Sequence, residues 1–279
     1  MSFEGVSKAA LAEQRVDARG MLSVRRRVGR TRIERLFQEG AAKIRLPQAA
    51  GDPLEAVLIN TAGGLTGGDR LSWTVSVADG AHAMLTTQAC EKIYRSSGGE
   101  ATSTIALDVG AGASLAWLPQ ETILFNGSAF RRSIEANFPV GARGIIVEST
   151  LFGRLTMGET VERALFRDRW RIRAGGRLVH AEDFAIGPDV AGNLATRAAT
   201  GGAFAIATVL ALREDADEVL APARAIIGEA GGASAWRVGE TGKLLARLIA
   251  KDGYGLRKRL IPLLQMLNGA AGLPKVWSI

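Results

Sequence analysis

The stretch LINTAGGLTGGDRLSW, Leu58 to Trp73, sets Gly63, Gly64, Gly67 and Gly68 beside one carboxylate, Asp69, between two apolar runs. Glycine belongs where positive φ or close backbone approach is required, so the run reads as a bent loop joining two strands. Such a loop could cradle a phosphate, guide a metal ion, or turn a corner that Asp69 caps by accepting from nearby backbone N–H groups. Other spacings that resemble catalytic motifs fail. RVGETGKLL has Arg237 where a Walker A loop needs its first glycine, and Leu244 where it needs the magnesium-binding hydroxyl. His180 opens an H-x-E, but the paired cysteines of a zinc deaminase do not follow it. No G-x-S-x-G elbow occurs. A pair of carboxylates could still support glycosidic chemistry on a repetitive β scaffold, which keeps a β-solenoid carbohydrate-active enzyme as the alternative reading.

The ligand inventory narrows the metal chemistry. Cys90, His82 and His180 are the only thiol and imidazole side chains in 279 residues, too few for a tight structural zinc or nickel site and too few for a disulfide. The net charge of +7 and a pI near 10.1 invite a nucleic-acid reading, sharpened by RRRVGRTRIERL. Val24, Val28, Ile33, Leu36 and Phe37 interleave with those arginines, however, which suits strands with one solvated face. No aromatic platform follows, so the basic surface is expected to meet an acidic protein partner and neither nucleic acid nor membrane. The longest apolar run, Gly202 to Leu212, is too short to span a bilayer, and the first twenty residues lack a signal-peptide core. A cytoplasmic protein is expected.

The elements that must position these residues show a repeat. LSWTVSVADGAHAMLTTQ, TSTIALDVGAGASLAWLPQ and RSIEANFPVGARGIIVES each run alternating residues into a Gly-Ala pair and then into a second apolar run. Anchored on Gly80, Gly110 and Gly141, the units align Val77 with Leu107 and Phe138, and Leu85 with Leu115 and Ile146. Seven residues past each glycine stand Thr87, Trp117 and Glu148. A carboxylate where a sibling unit carries tryptophan marks an interior polar spot, and an ion pair with Arg95 or Arg154 is the plainer account of it. Stacked coils of a β-solenoid, a repetitive sandwich or a meander would all produce this period. Farther along, apolar stripes place one helix near 216–229, bounded by Gly231-Gly232, and another near 254–268, ending at Asn268-Gly269.

Five ordered motifs then resemble one family. GGLTGGDRL (Gly63–Leu71), EKIYRSSGG (Glu91–Gly99), WLPQETILF (Trp117–Phe125), ESTLFGRLTMGE (Glu148–Glu159) and LPKVW (Leu273–Trp277) follow the order of the urease accessory protein UreD, also called UreH, with Lys275 where the family pattern carries arginine. The resemblance runs from about Gly20 to the end. It implies a scaffold and not an enzyme: an elongated, mainly β, solenoid-like (β-helix-like) stack of strand pairs with two α-helices in the C-terminal part. It further implies binding of the accessory protein UreF, of the GTPase UreG through UreF, and of apo-urease, with Ni²⁺ in transit and no tightly bound cofactor. One domain over 1–279 is expected, with a flexible N-terminus to about residue 15, a β repeat region at about 15–210 and a helix-containing part at about 211–279. On this reading Asp69, Glu148 and Glu91 are the oxygen ligands of a transient nickel path. Oxygen donors hold nickel more weakly than several imidazoles or thiolates and release it sooner. Glu121 and Glu159 are weaker candidates, and Tyr94 and Arg95 are read as ordering their loop or touching UreF. Trp277, beside basic Lys275, is expected to anchor UreF.

Overall fold

The computed structural model describes residues 15–47, 51–154 and 158–278. The segment expected to be flexible, up to about residue 15, lies almost wholly outside the described residues.

Among the described residues seventeen strands wind into coils that contribute in turn to two large sheets. Strands β1 (Asp17–Arg27), β2 (Arg30–Glu39), β3 (Ala42–Arg45) and β4 (Leu54–Asn60) open the chain, followed by one coil of β5 (Arg70–Val77), β6 (His82–Thr87) and β7 (Glu91–Ile93). The next coil is β8 (Ala101–Val109), β9 (Ser114–Trp117) and β10 (Thr122–Leu124), and a third comprises β11 (Ala129–Phe138) and β12 (Arg143–Phe152). Then come β13 (Leu165–Ala174), β14 (Arg177–Ile186), β15 (Ala205–Leu212), β16 (Gly231–Val238) and β17 (Thr241–Ala250). The first sheet runs β14-β13-β11-β8-β5-β1-β2 and is parallel from β13 to β1. The second runs β16-β17-β15-β12-β9-β6-β4-β3, parallel from β12 to β4, and β7 and β10 add a short parallel ribbon beside the end of β12. This is the solenoid-like stack that the repeat and the resemblance implied.

The two sheets differ in hydropathy because they differ in cover. The first packs one face on the core and gives the other to water, so β5 and β8 alternate strictly between buried and open positions. The second is buried on both faces, and β12 is accordingly almost continuously buried. Its inner face meets the main core with Leu85, Trp117 and Ile146, while Ile145, Val147, Val209 and Leu244 meet a second core built by the C-terminal helices.

Those helices are Leu220–Ile227 and Gly253–Asn268, close to the expected spans, and a short helix at Val190–Ala195 is a third that the stripes did not indicate. In the last helix Leu256, Leu260, Leu263, Leu264 and Leu267 form the buried stripe, and Asp252 caps its start by accepting from the Gly255 N–H at 2.7 Å. Strands also continue past residue 210: β16 and β17 form a hairpin between the helices, with Gly239-Glu240, the middle of the Walker-like stretch, as its turn.

Register corrects the middle repeat unit. Val77 pairs with Val109, and Leu85 with Trp117 and then Ile146, so the unit is anchored on Gly112-Ala113 and not on Gly110-Ala111. Gly80, Gly112 and Gly141 all have positive φ, which is the conformational requirement that makes them equivalent. The counterpart of Glu148 is therefore Pro119, two residues beyond Trp117. Trp277 is also not an open anchor. It is 2% exposed, packed in the second core, and its Nε1–H donates to the Leu118 carbonyl at 3.0 Å, so the terminal segment straps the last helix onto the coils.

Candidate functional site

Strand alternation places charge inside the coils. In β11, Arg132 lies in phase with buried Phe130 and Ile134, and in β13 Asp168 lies in phase with buried Phe166 and Trp170. The parallel register sets Arg132 and Asp168 side by side, and Glu148 projects from β12 in phase with Ile146. Arg132 forks onto Asp168, with Nε to Oδ1 at 3.0 Å and Nη2 to Oδ2 at 2.5 Å. Its Nη1 donates to the Thr122 hydroxyl at 3.0 Å and to Glu148 Oε2. Two indoles complete the shell: Trp117 Nε1 donates to Glu148 Oε1 at 3.0 Å, and Trp170 Nε1 to Asp168 Oδ1 at 2.9 Å. All three charged residues are buried, at 4% (Arg132), 5% (Glu148) and 7% (Asp168) exposure.

One guanidinium thus faces two carboxylates in a buried interior. Burial pushes the Glu148 carboxyl up and Asp168 reinforces this, while Arg132 and the Trp117 hydrogen bond oppose it. Burial alone would lower the Arg132 guanidinium, but the two carboxylates hold it above its ordinary range. With both carboxylates ionised the cluster carries one negative charge beyond what Arg132 neutralises, so it can attract a cation or hold a proton. The ion-pair partner of Glu148 is therefore Arg132, not Arg95 or Arg154. Arg154 instead pairs with Glu159 at 2.7 Å, and Arg95 lies in a bridge with Ser128. The carboxylates that share Arg132 are closed inside the fold and do not line an open groove.

Glu91 joins the same interior by register. It opens β7 in a row with Thr122 and Thr150 on adjacent parallel strands, and Thr122 is the hydroxyl that Arg132 holds. Asn60 Nδ2 donates to its Oε1 at 3.0 Å, and burial pushes its carboxyl up to about 7 against that hydrogen bond. Asp69 is placed differently. Its Oδ2 accepts from the Thr66 N–H at 2.7 Å and its Oδ1 from the Val16 N–H at 3.0 Å, so it closes the glycine turn and ties β1 to it. No hydrogen bond joins Asp69 to Glu91 or Glu148 among the described residues. Tyr94 orders the same loop, its hydroxyl donating to the Gly63 carbonyl at 3.2 Å and its ring meeting Phe125 edge-on.

The remaining polar groups act as struts. Glu121, 2% exposed, accepts the fork of Arg257 from the last helix at 2.6 and 2.9 Å. Burial would raise this carboxyl, but Arg257 holds it below the ordinary range. Cys90 Sγ lies 3.4 Å from Glu121 Oε2, and burial together with that carboxylate pushes the thiol up to about 12, so it stays protonated and a poor metal ligand. His82 Nδ1 meets Ser114 Oγ at 2.8 Å. His180 is buried beside Trp170, and burial, with Lys243 and Arg247 nearby, lowers its imidazole to about 4. Among the described residues no three His, Cys, Asp or Glu side chains gather as a metal-holding group. No helix among them is long and apolar enough to cross a membrane.

Comparison with known proteins follows the same direction. The family model described as UreD urease accessory protein matches residues 16–278. The chain is 59% identical over 271 residues to urease accessory protein UreD 1 of Brucella abortus, with 97% of each chain covered. It is 60% identical over 266 residues to urease accessory protein UreD of Brucella suis, covering 95% of each, and 57% identical over 251 residues to the like-named protein of Mesorhizobium japonicum, covering 90% of each.

Proposed function

This chain belongs to the UreD urease accessory protein family, whose role is in urease maturation, and from that premise we propose that it is a non-catalytic scaffold conducting Ni²⁺ to apo-urease. Its partners on this reading are UreF, the GTPase UreG held through UreF, and the urease subunits. Nickel is the cargo and no cofactor resides on the chain. The observation that carries the reading is the buried Glu148–Arg132–Asp168 cluster, with Glu91 one strand row away through Thr122. A carboxylate excess inside an apolar core destabilises the fold unless it is paired, and a passing cation supplies the missing positive charge. Oxygen donors suit passage because their hold on nickel is weaker than that of a thiolate or imidazole set. Asp69 serves the path at its loop end, where it also fixes the turn.

UreF contact is assigned to the later part of the chain, around the last helix, where Tyr254 is 71% exposed above the Lys258 ammonium. Trp277 supports that surface from below and does not enter the contact. Tagged protein expressed with the urease gene cluster should recover UreF, UreG and urease subunits together. Recovery of none of them by a properly folded chain would remove the scaffold reading.

A further inference from the structure

The outward face of β13 carries Arg167, Arg169, Arg171 and Arg173 on successive positions of one side. Alternate residues of a strand are about 6.6 Å apart, so the four arginines project in a row from one side of the strand. Arg131 of β11 stands beside Arg167 in register, its guanidinium already paired with Glu100 at 2.7 Å. Among the described residues Arg167, Arg169 and Arg173 make no ion pair and no side-chain hydrogen bond. The single filled rung is Arg171, which takes the Asp183 carboxylate of the neighbouring strand in a fork at 3.0 and 2.8 Å. Like charges on neighbouring positions repel, which Asp183 beside Arg169 and Glu135 beside Arg171 offset only in part, and the core contacts of β13 are made by Phe166, Trp170 and Ile172 from the other side.

We propose that this ladder is a docking strip for an extended acidic segment of a protein partner, laid along β13 with its alternate carboxylates on Arg167, Arg169 and Arg173. An extended chain repeats its side chains at the same spacing as the strand beneath it, so successive Asp or Glu residues two apart meet successive arginines. The Arg171–Asp183 fork shows on this chain the pairing that the open rungs would make, and planar guanidinium groups favour such bidentate carboxylate contacts. A single nucleic-acid strand would also present charges at such intervals, but between β5 and β13 the outward residues are serine, threonine, alanine, Asn137, Leu165 and charged side chains, with no ring for a base to stack on. The strip is independent of the interior nickel path and stands whether or not that path exists.

The test uses the full chain and two fluorescein-labelled peptides of about twelve residues with equal glutamate content. One has glutamate at alternate positions and the other has its glutamates in one block. The alternating peptide should bind more tightly, lose affinity with added salt, and weaken about tenfold on the triple change Arg167→Ala, Arg169→Ala, Arg173→Ala. The matching lysine triple, which keeps charge but loses the fork, should fall between, and it reads the same interaction if the alanine variant does not fold. Changing Arg30, Arg32 and Arg35 of β2 to alanine should leave the affinity unchanged. Equal binding of the two peptides, or an affinity that both ladder variants leave intact, would overturn the proposal. Preferred binding of an oligothymidylate through the same arginines would overturn it in favour of nucleic acid.

Discussion

Arg132 pairs with two buried carboxylates at once, so its removal should expose the cost of the whole cluster. Arg132→Leu is expected to destabilise the protein by about 3–5 kcal/mol in urea unfolding, the range for breaking a buried pair and leaving its partners uncompensated. Adding Glu148→Gln should recover part of that loss, because one unpaired charge is then gone. A loss below about 1 kcal/mol, within the range of an exposed pair, would mean that water reaches the cluster. His180 adds its own pH dependence, opposite in sign to that of the raised Glu91 carboxyl. Its folded value near 4 lies below the ordinary 6.5, so the unfolded chain binds more protons between these limits. Stability from this residue is complete above about 6.5 and lost as pH falls toward 4, by about 3 kcal/mol at most. As pH falls over that window the His180→Gln variant should therefore gain stability relative to the parent, and a difference that stays constant across the window would contradict the assignment. Arg132 and Asp168 were legible in the sequence in one respect: each sits in the inward phase of an alternating strand, between Phe130 and Ile134 and between Phe166 and Trp170. Their pairing was not legible, because it joins residues brought together only by parallel register.

At the scale of elements, the glycine loop owes its composition to close approach more than to a ligand. A Cβ on Gly67 would stand 2.0 Å from Ser96 Oγ, 2.5 Å from the Gly98 carbonyl oxygen and 2.7 Å from that of Gly99, and the two backbone oxygens cannot yield as a side chain can. Gly67→Ala is expected to cost about 1–3 kcal/mol by prising the 63–68 loop from the 94–99 loop. Gly98→Ala, whose added methyl would meet nothing within 4 Å, should be nearly neutral. Equal midpoints for the two variants in denaturant would refute this account of the loop. The repeat and both longer helices could be read from period alone, since strand alternation and the leucine stripe of 256–267 are local signals. The short helix Val190–Ala195 has too few residues to show a stripe. The β16–β17 hairpin was obscured by glycines that invited comparison with a nucleotide loop. The GAGA sequence before β9 contains two Gly-Ala pairs, and only pairing across strands selects the second.

For the molecule as a whole, the coils bring Glu91 and Glu148 into one interior while the C-terminal helices close the outer face of the second sheet. The sequence resemblance named the family and its expected partners, but the register that sets Glu91 beside Thr122, and Thr122 against Arg132 and so Glu148, arises from stacking and could not be read from spacing. The most direct test is the nickel content of urease matured in cells by the Glu91→Gln, Glu148→Gln double variant, measured alongside recovery of UreF and UreG on the same tagged chain. Both amides keep the shape and part of the hydrogen bonding of the glutamates while removing their charge. The account predicts an assembled complex that yields urease with reduced nickel and correspondingly reduced activity; fully nickel-loaded urease from that intact complex would contradict it.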